Sequence, residues 1–270
     1  MEGKKLLTIN LDDKLKTLDE GNELKYYKKI ISLLENEKQY DRIYGYWTDG
    51  QKVYYACYLV KGADIESFVQ YEGGWGKDKN HCYSVGIRLK GADAKSFKIL
   101  NLTYAKDNSN VWTLGGIIKD ADVASFEICD SGKDSLGKMS DGKSGLRENF
   151  VAQGYGKDKK NVYYYNFDGK PHIVKTACPE TFISLGDCLF GYDEKCVFSN
   201  GLKLQKSDPT TWKKFKDLYH YSKDKKNIYY FNRIIKEADA ETFEIIKKQE
   251  EMGLPLQLAK DKNNYYWMIE

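Results

Sequence analysis

The chain has 270 residues, 41% of them hydrophobic and 31% charged, with 43 basic side chains against 40 acidic ones. That length and balance suit a chain with a sizeable core of its own and exclude a disordered polyelectrolyte. A net charge of +3 argues against a dedicated nucleic-acid binder, which concentrates far more positive charge. The unusual figure is the 14% aromatic content, with 22 tyrosines and only four prolines. Tyrosine at this level suits strands, where the ring packs on a pleated, half-buried surface.

The chain opens with MEGKKLLTINLDDKLKTL, which lacks the continuous apolar run of a secretory signal. No segment is long and apolar enough to predict a membrane span, so a cytoplasmic location is the default expectation. Residues 1–40 precede the patterned part of the sequence. Within them Leu24, Tyr27, Ile31 and Leu34 share one face at helical spacing, Ile30 lies beside them, and Asn22 is placed to cap. This predicts an N-terminal capping helix over the exposed end of the first repeat, as stacked arrays require.

Residues 41–270 repeat. Taking an aspartate as the origin, one register recurs at Asp49, Asp78, Asp107, Asp158, Asp193, Asp224 and Asp261. An aromatic follows five positions later in every copy: Tyr54, Tyr83, Trp112, Tyr163, Phe198, Tyr229 and Tyr266. Three positions before the aspartate stand Tyr46, Trp75, Tyr104, Tyr155, Phe190 and Tyr221, with Leu258 in the last copy. The residue between is small in most copies, as in Gly76, Ala105, Gly156, Gly191, Ser222 and Ala259. Apolar residues around a polar Asp/Asn/Lys cluster predict a hairpin, with the aspartate accepting hydrogen bonds from the turn N–H groups. Asn110, Asn161, Asn227 and Asn264 share one turn slot, where a left-handed conformation is tolerated.

The second half of each unit keeps register too. Asp64, Asp93, Asp122, Asp208 and Asp239 lie fifteen residues after the turn aspartate, each followed four residues later by Phe68, Phe97, Phe126, Trp212 or Phe243. The fourth unit carries five extra residues and ends at Cys178 and Phe182. Here the aspartate reads as an N-cap of a single helical turn, with Ser125, Thr211 or Thr242 at its third position and Pro209 at its first. The fold expected is therefore mainly β with short helical turns: tandem β-hairpin repeats in a solenoid-like or curved array, six units and a C-terminal half unit. A partner for that half unit is sought near KKLLTIN, which would close the array or hide an edge.

Between the third and fourth units, residues 130–148 read DSGKDSLGKMSDGKSGLRE, a composition expected of an exposed loop inserted in the array. Gly137 to Ser144 match the GxxxxGKS pattern of a phosphate loop. That chemistry needs an apolar strand before Gly137 and a helix after Ser144, and neither flank has the pattern.

Other chemistry is sparse. Cys57, Cys82, Cys129, Cys178, Cys188 and Cys196 form no metal-binding spacing and read as small core side chains. His81, His172 and His220 are far apart in sequence, and the KDKN turns set lysines where a calcium loop needs oxygen ligands and a glycine. No metal and no cofactor is therefore expected. Six positions after the turn aspartate the residue varies, which marks a face free of core constraint. Tyr55, Tyr164, Tyr230 and Trp267 occupy it and are the candidate contact residues, with burial in the core as the competing reading.

The segments KDKNHCY, KDKKNVYYYN, KDKKNIYYFN and KDKNNYYW, each trailed by a capped turn in those copies that have room for one, resemble the DKNYY family of bacterial repeat proteins. The resemblance implies no catalytic activity and carries over no site residues. It implies a non-enzymatic protein-interaction module that binds another protein, of the kind found as immunity proteins or partners of secreted toxins. Two other readings stay open: a glycan or small-ligand binder using surface tyrosines, and a hydrolase with a carboxylate pair that no spacing singles out.

Overall fold

Each turn aspartate sits between two short strands that pair antiparallel. In the second unit Trp75–Lys77 pairs with Cys82–Ser84, and in the fourth Gly154–Lys157 pairs with Val162–Tyr165. A two-residue turn then leads to a third strand on the outer side, as in Ile87–Arg88 or Leu202–Lys203. Those turns place Val85 and Gly86, or Asn200 and Gly201, at positive φ, the conformation that matches the twist of a tight hairpin. The strand on the inner side comes from the end of the preceding unit, as Lys98–Ile99 does for Tyr104–Lys106. Among the described residues the second to sixth units are built in this way, the first takes its inner strand from the start of the chain, and the last copy has three strands.

The computed structural model describes residues 3–8, 45–56, 58–140, 146–167, 169–215, 220–251 and 254–267. The N-terminal capping helix expected around residues 22–34 lies outside the described residues. The start of the chain is nonetheless placed, and not at the far end of the array. Lys4–Lys5 pairs antiparallel with Val69–Gln70 of the second sheet, and Leu7–Thr8 pairs parallel with Tyr46–Thr48 of the first. The C-terminal Tyr265–Trp267 pairs with Leu254–Lys260, so KKLLTIN does not complete the last half unit.

The hydrophobic residues are shared between neighbouring units rather than enclosed within one. Trp75 and Cys82 of the second unit pack with Phe97, Ala105 and Trp112 around the next hairpin. Tyr104, Val111 and Phe126 likewise join Tyr163 of the fourth unit. A single unit therefore leaves an apolar face bare, and stacking buries it at roughly 1.5–3 kcal/mol per large side chain. The small residue two positions before the turn aspartate follows from this packing: a Cβ on Gly156 would lie 2.6 Å from the Phe126 ring, and one on Gly191 2.4 Å from the Phe182 ring.

The segment that reads as a helical turn is a hydrogen-bonded turn and not a helix. Asp122 Oδ1 accepts the Ser125 N–H at 3.0 Å and the Ser125 hydroxyl at 2.8 Å, as a cap would. The chain then straightens at once because the following aromatic is drawn into the sheet, and an i to i+4 bond survives at Trp212 and Phe243.

The insertion is also more ordered than its composition predicts. Lys133–Ser140 and Leu146–Ala152 form a two-stranded antiparallel hairpin with an irregularity between Ser135 and Gly137. Gly137 thus lies within a strand and a strand follows residue 145, which leaves no strand–loop–helix for a phosphate loop. Asp130 fastens the hairpin base: its carboxylate accepts the N–H of Gly132 at 2.9 Å, the N–H of Tyr155 at 2.8 Å and the Ser184 hydroxyl at 3.2 Å. Gly154 has φ +148°, and a Cβ there would collide with Asp130 Oδ1, so this crossing admits only glycine.

Candidate interaction surface

The turn aspartate does more than close its own turn. In the sixth unit Asp224 Oδ1 accepts the N–H groups of Lys226 at 2.8 Å and Asn227 at 2.7 Å. Its Oδ2 accepts the Tyr229 hydroxyl at 2.7 Å and the backbone N–H of Asp208, the cap of the preceding unit, at 3.1 Å. The same bond to the preceding cap recurs from Asp64 to Asp78, Asp93 to Asp107, Asp122 to Asp158, Cys178 to Asp193 and Asp239 to Asp261. The cap hydroxyl adds a second link, since Ser67 Oγ accepts the Lys79 N–H and Ser125 Oγ that of Lys159. A third comes from the turn lysine: Lys79, Lys159 and Lys262 pair with Asp64, Asp122 and Asp239 at 2.7–3.0 Å.

These contacts set the charge states. Hydrogen bonds from the Lys79 ammonium and then from Ser67 hold the Asp64 carboxyl down at about 2, and Ser125 followed by Lys159 does the same for Asp122. For Asp224, burial opposes ionisation most strongly, yet the bonds from Tyr229, Lys226, Asp208 and Asn227 outweigh it and lower the pKa. Asp49, in the first unit, binds its own turn and the Tyr54 hydroxyl in the same way. All seven turn aspartates therefore act as structural acceptors, and six of them are buried.

A second set of bonds runs forward along the chain. Tyr46 donates its hydroxyl to the Gly74 carbonyl at 3.0 Å and Trp75 its indole N–H to that of Leu102 at 3.0 Å. Tyr104 reaches the Gly154 carbonyl at 2.8 Å and Tyr155 that of Leu189 at 3.0 Å. The first four units are thus each held to the next by an aromatic donor, and every copy from the second onward is held to the previous one by a carboxylate.

The four candidate contact residues do not form one exposed face. Tyr164 is fully buried, with its hydroxyl donating to the Cys188 carbonyl at 3.0 Å and lying 3.0 Å from Asn200 Oδ1. Tyr55 and Tyr230 are half-buried, each packed at 4.9 Å on the aromatic that starts its hairpin, Tyr46 or Tyr221. Trp267 lies in the last strand, Tyr265–Trp267, at the same register. Variation at this position reflects fit and not exposure: the rings of Tyr55 and Tyr164 cover Gly86 and Gly201 of the next unit. At Ser84 the hydroxyl reaches the Leu114 carbonyl across the same junction at 2.9 Å.

What the units do expose is the outer strand. Tyr58, Ile87, Ile117, Ile173 and Leu202 lie there in five consecutive units, with Ile87 68% and Leu202 51% exposed. An isolated exposed aliphatic needs no explanation, but recurrence on the same strand of successive units does. An exposed lysine follows each strand: Lys61, Lys90, Lys119, Lys175, Lys206 and Lys236. The outer strand of five successive units therefore exposes an apolar side chain, with an exposed lysine a few residues on. The signal was available in the sequence as a lysine twelve residues after most turn aspartates, masked by the many lysines of the turns themselves.

Among the described residues no group of three or more His, Cys, Asp or Glu converges as a metal site would. Burial raises the thiols of Cys82, Cys129 and Cys188 to about 12 and lowers His220 to about 4, environments of packed side chains. No helix among the described residues is long and apolar enough to cross a membrane.

Strand-rich units tied to both neighbours by repeated backbone and side-chain bonds define a tandem β-hairpin repeat protein. The chain belongs to the DKNYY family, whose model matches residues 75–233 and 153–269. No curated protein and no solved structure matches it.

Proposed function

We propose that this is a non-enzymatic protein-interaction module in an open, solenoid-like array, whose partner presents a surface both apolar and acidic. The observation that carries the reading is the outer strand of Tyr58, Ile87, Ile117, Ile173 and Leu202, bordered by Lys61, Lys90, Lys119, Lys175 and Lys206. Apolar groups supply the contact energy and the lysines steer and orient an acidic partner. Short edge strands leave backbone groups at the rim, so the partner can also contribute an extended segment. An immunity-type or toxin-partner role falls within this reading. The tyrosine-platform alternative loses support because Tyr164 is inside the core.

The test is binding of the native partner to the wild-type chain and to a chain carrying Ile87→Asp, Ile117→Asp and Leu202→Asp. The wild type is expected to bind at micromolar concentration or tighter, with affinity falling as salt is raised. A partner that binds both chains equally would overturn the assignment of the surface. Saturable quenching of tryptophan fluorescence by an oligosaccharide, without any protein partner, would favour the glycan reading instead.

A further inference from the structure

We propose that the first unit holds a binding pocket for a primary alkylammonium group, at the place where other units insert a lysine of their own. The residue before the turn aspartate is lysine in the second, third, fourth and sixth units. Lys77 Nζ donates to the Ala94 carbonyl at 3.3 Å and Lys223 Nζ to that of Ala240 at 3.0 Å. Lys106 reaches the carbonyls of Val123 at 3.0 Å and Phe126 at 3.3 Å, and Lys157 those of Pro179 at 3.2 Å and Phe182 at 3.3 Å. Each acceptor belongs to the capped turn that ends the same unit. Four times over, the fold uses an ammonium group on a four-carbon stem to satisfy that turn.

In the first unit this residue is Thr48. Its hydroxyl is occupied within its own hairpin, donating to the Lys52 carbonyl at 2.8 Å and accepting the Gly50 N–H at 3.0 Å. The space that a lysine fills elsewhere is left as an open pocket of about 290 Å³, lined among others by Lys5, Leu6, Thr48, Ile65, Glu66 and Phe68. Ile65 and Phe68 stand at the register of Val123 and Phe126, whose carbonyls take the Lys106 ammonium. The fifth unit also lacks the lysine, but there Tyr192 packs with Trp212 and Ile234 against Val197, Leu204 and Tyr229.

The chemistry follows from the four filled examples. Carbonyl acceptors and the Glu66 carboxylate favour a cation with several N–H donors, and Leu6, Ile65 and Phe68 suit an unbranched alkyl stem. A lysine side chain of a partner polypeptide and a free alkylamine present the same group. The site is distinct from the outer-strand surface and does not depend on it.

The experiment follows backbone amide shifts of the full chain during titration with n-butylammonium chloride, with n-butanol and sodium chloride as controls. Saturable shifts at residues 5–6, 48–50 and 65–69, with a dissociation constant on the order of millimolar, are expected for the ammonium alone. Thr48→Lys fills the site from within: it should abolish these shifts and raise the melting temperature by about 2 °C. Lys106→Thr opens the equivalent pocket and should add shifts around residues 123–126. N-acetyl-lysine amide binding as well as n-butylammonium would assign the site to a peptide lysine, and n-butylammonium alone to a free amine. The proposal is overturned if the wild type shows no saturable shifts, if n-butanol reproduces them, or if Thr48→Lys leaves them intact. It is equally overturned if binding appears only in Lys5→Ala, since the chain's own lysine then occupies the pocket.

Discussion

Replacing Asp224 by asparagine separates the aspartate's two roles. Asparagine keeps one carbonyl oxygen, which can still accept the N–H groups of Lys226 and Asn227, so the turn survives. The other oxygen becomes an NH2 group facing the Asp208 N–H and the Tyr229 hydroxyl. The hydroxyl can rotate and accept, but the Asp208 N–H meets a second donor and loses its partner. A turn acceptor alone is worth about 1 kcal/mol, whereas losing a charged acceptor and stranding a donor costs roughly 2–4 kcal/mol. For a chain of this length that lowers the melting temperature by roughly 4–8 °C. Differential scanning calorimetry of the wild type, Asp224→Asn and Lys226→Ala is the assay, with the exposed Lys226 as the control. If Asp224→Asn melts within about 1 °C of Lys226→Ala, the carboxylate does not link the units and the reasoning fails.

The depressed carboxylates predict acid sensitivity. The folded pKa values of Asp64, Asp122 and Asp239 are lowered to about 2, so their stabilisation is complete above the unfolded value near 4 and is lost as pH falls towards 2; melting temperature measured from pH 5 to pH 2 should fall steadily, and a flat profile would contradict the assignment. Buried Tyr104, Tyr155 and Tyr164 have raised pKa values, chiefly from burial, so they favour the folded state below about pH 10 and oppose it above. Tyrosinate absorbance and circular dichroism should therefore change together in alkali, and tyrosinate formation without unfolding would count against these burials. Gly156→Ala should destabilise by about 1–3 kcal/mol in a urea titration, because the added methyl meets the Phe126 ring; no loss would mean that the ring can yield.

Much of the architecture is legible in the sequence because the repeat places the same side chain in the same environment. The aromatic five residues after each aspartate is constant because its hydroxyl or indole N–H binds that aspartate in most copies. Phe198 keeps only the packing. The second role of the aspartate was hidden because its partner is a backbone N–H, fourteen residues away for Asp78 but thirty-six for Asp158. Backbone groups leave no residue-type signature. At position six, variation suggests exposure when units are compared with one another, but Tyr55, Tyr164 and Ser84 are fitted to the glycine or carbonyl of the next unit. The insertion reads as a loop because its glycines and serines lack an alternating pattern, and Asp130 fixes its base through contacts with Gly132, Tyr155 and Ser184.

The central claim is that the apolar, lysine-bordered outer strands bind a protein. The most direct measurement isolates proteins from cells that express the chain natively, on the immobilised wild type and on the Ile87→Asp, Ile117→Asp, Leu202→Asp variant. The affinity of the purified partner for each is then determined by calorimetry. The account predicts one partner with an acidic surface, bound at micromolar concentration or tighter by the wild type and at least about tenfold more weakly by the variant, a loss of about 1.4 kcal/mol or more. Equal affinity for both chains, with the variant melting as the wild type does, would contradict it.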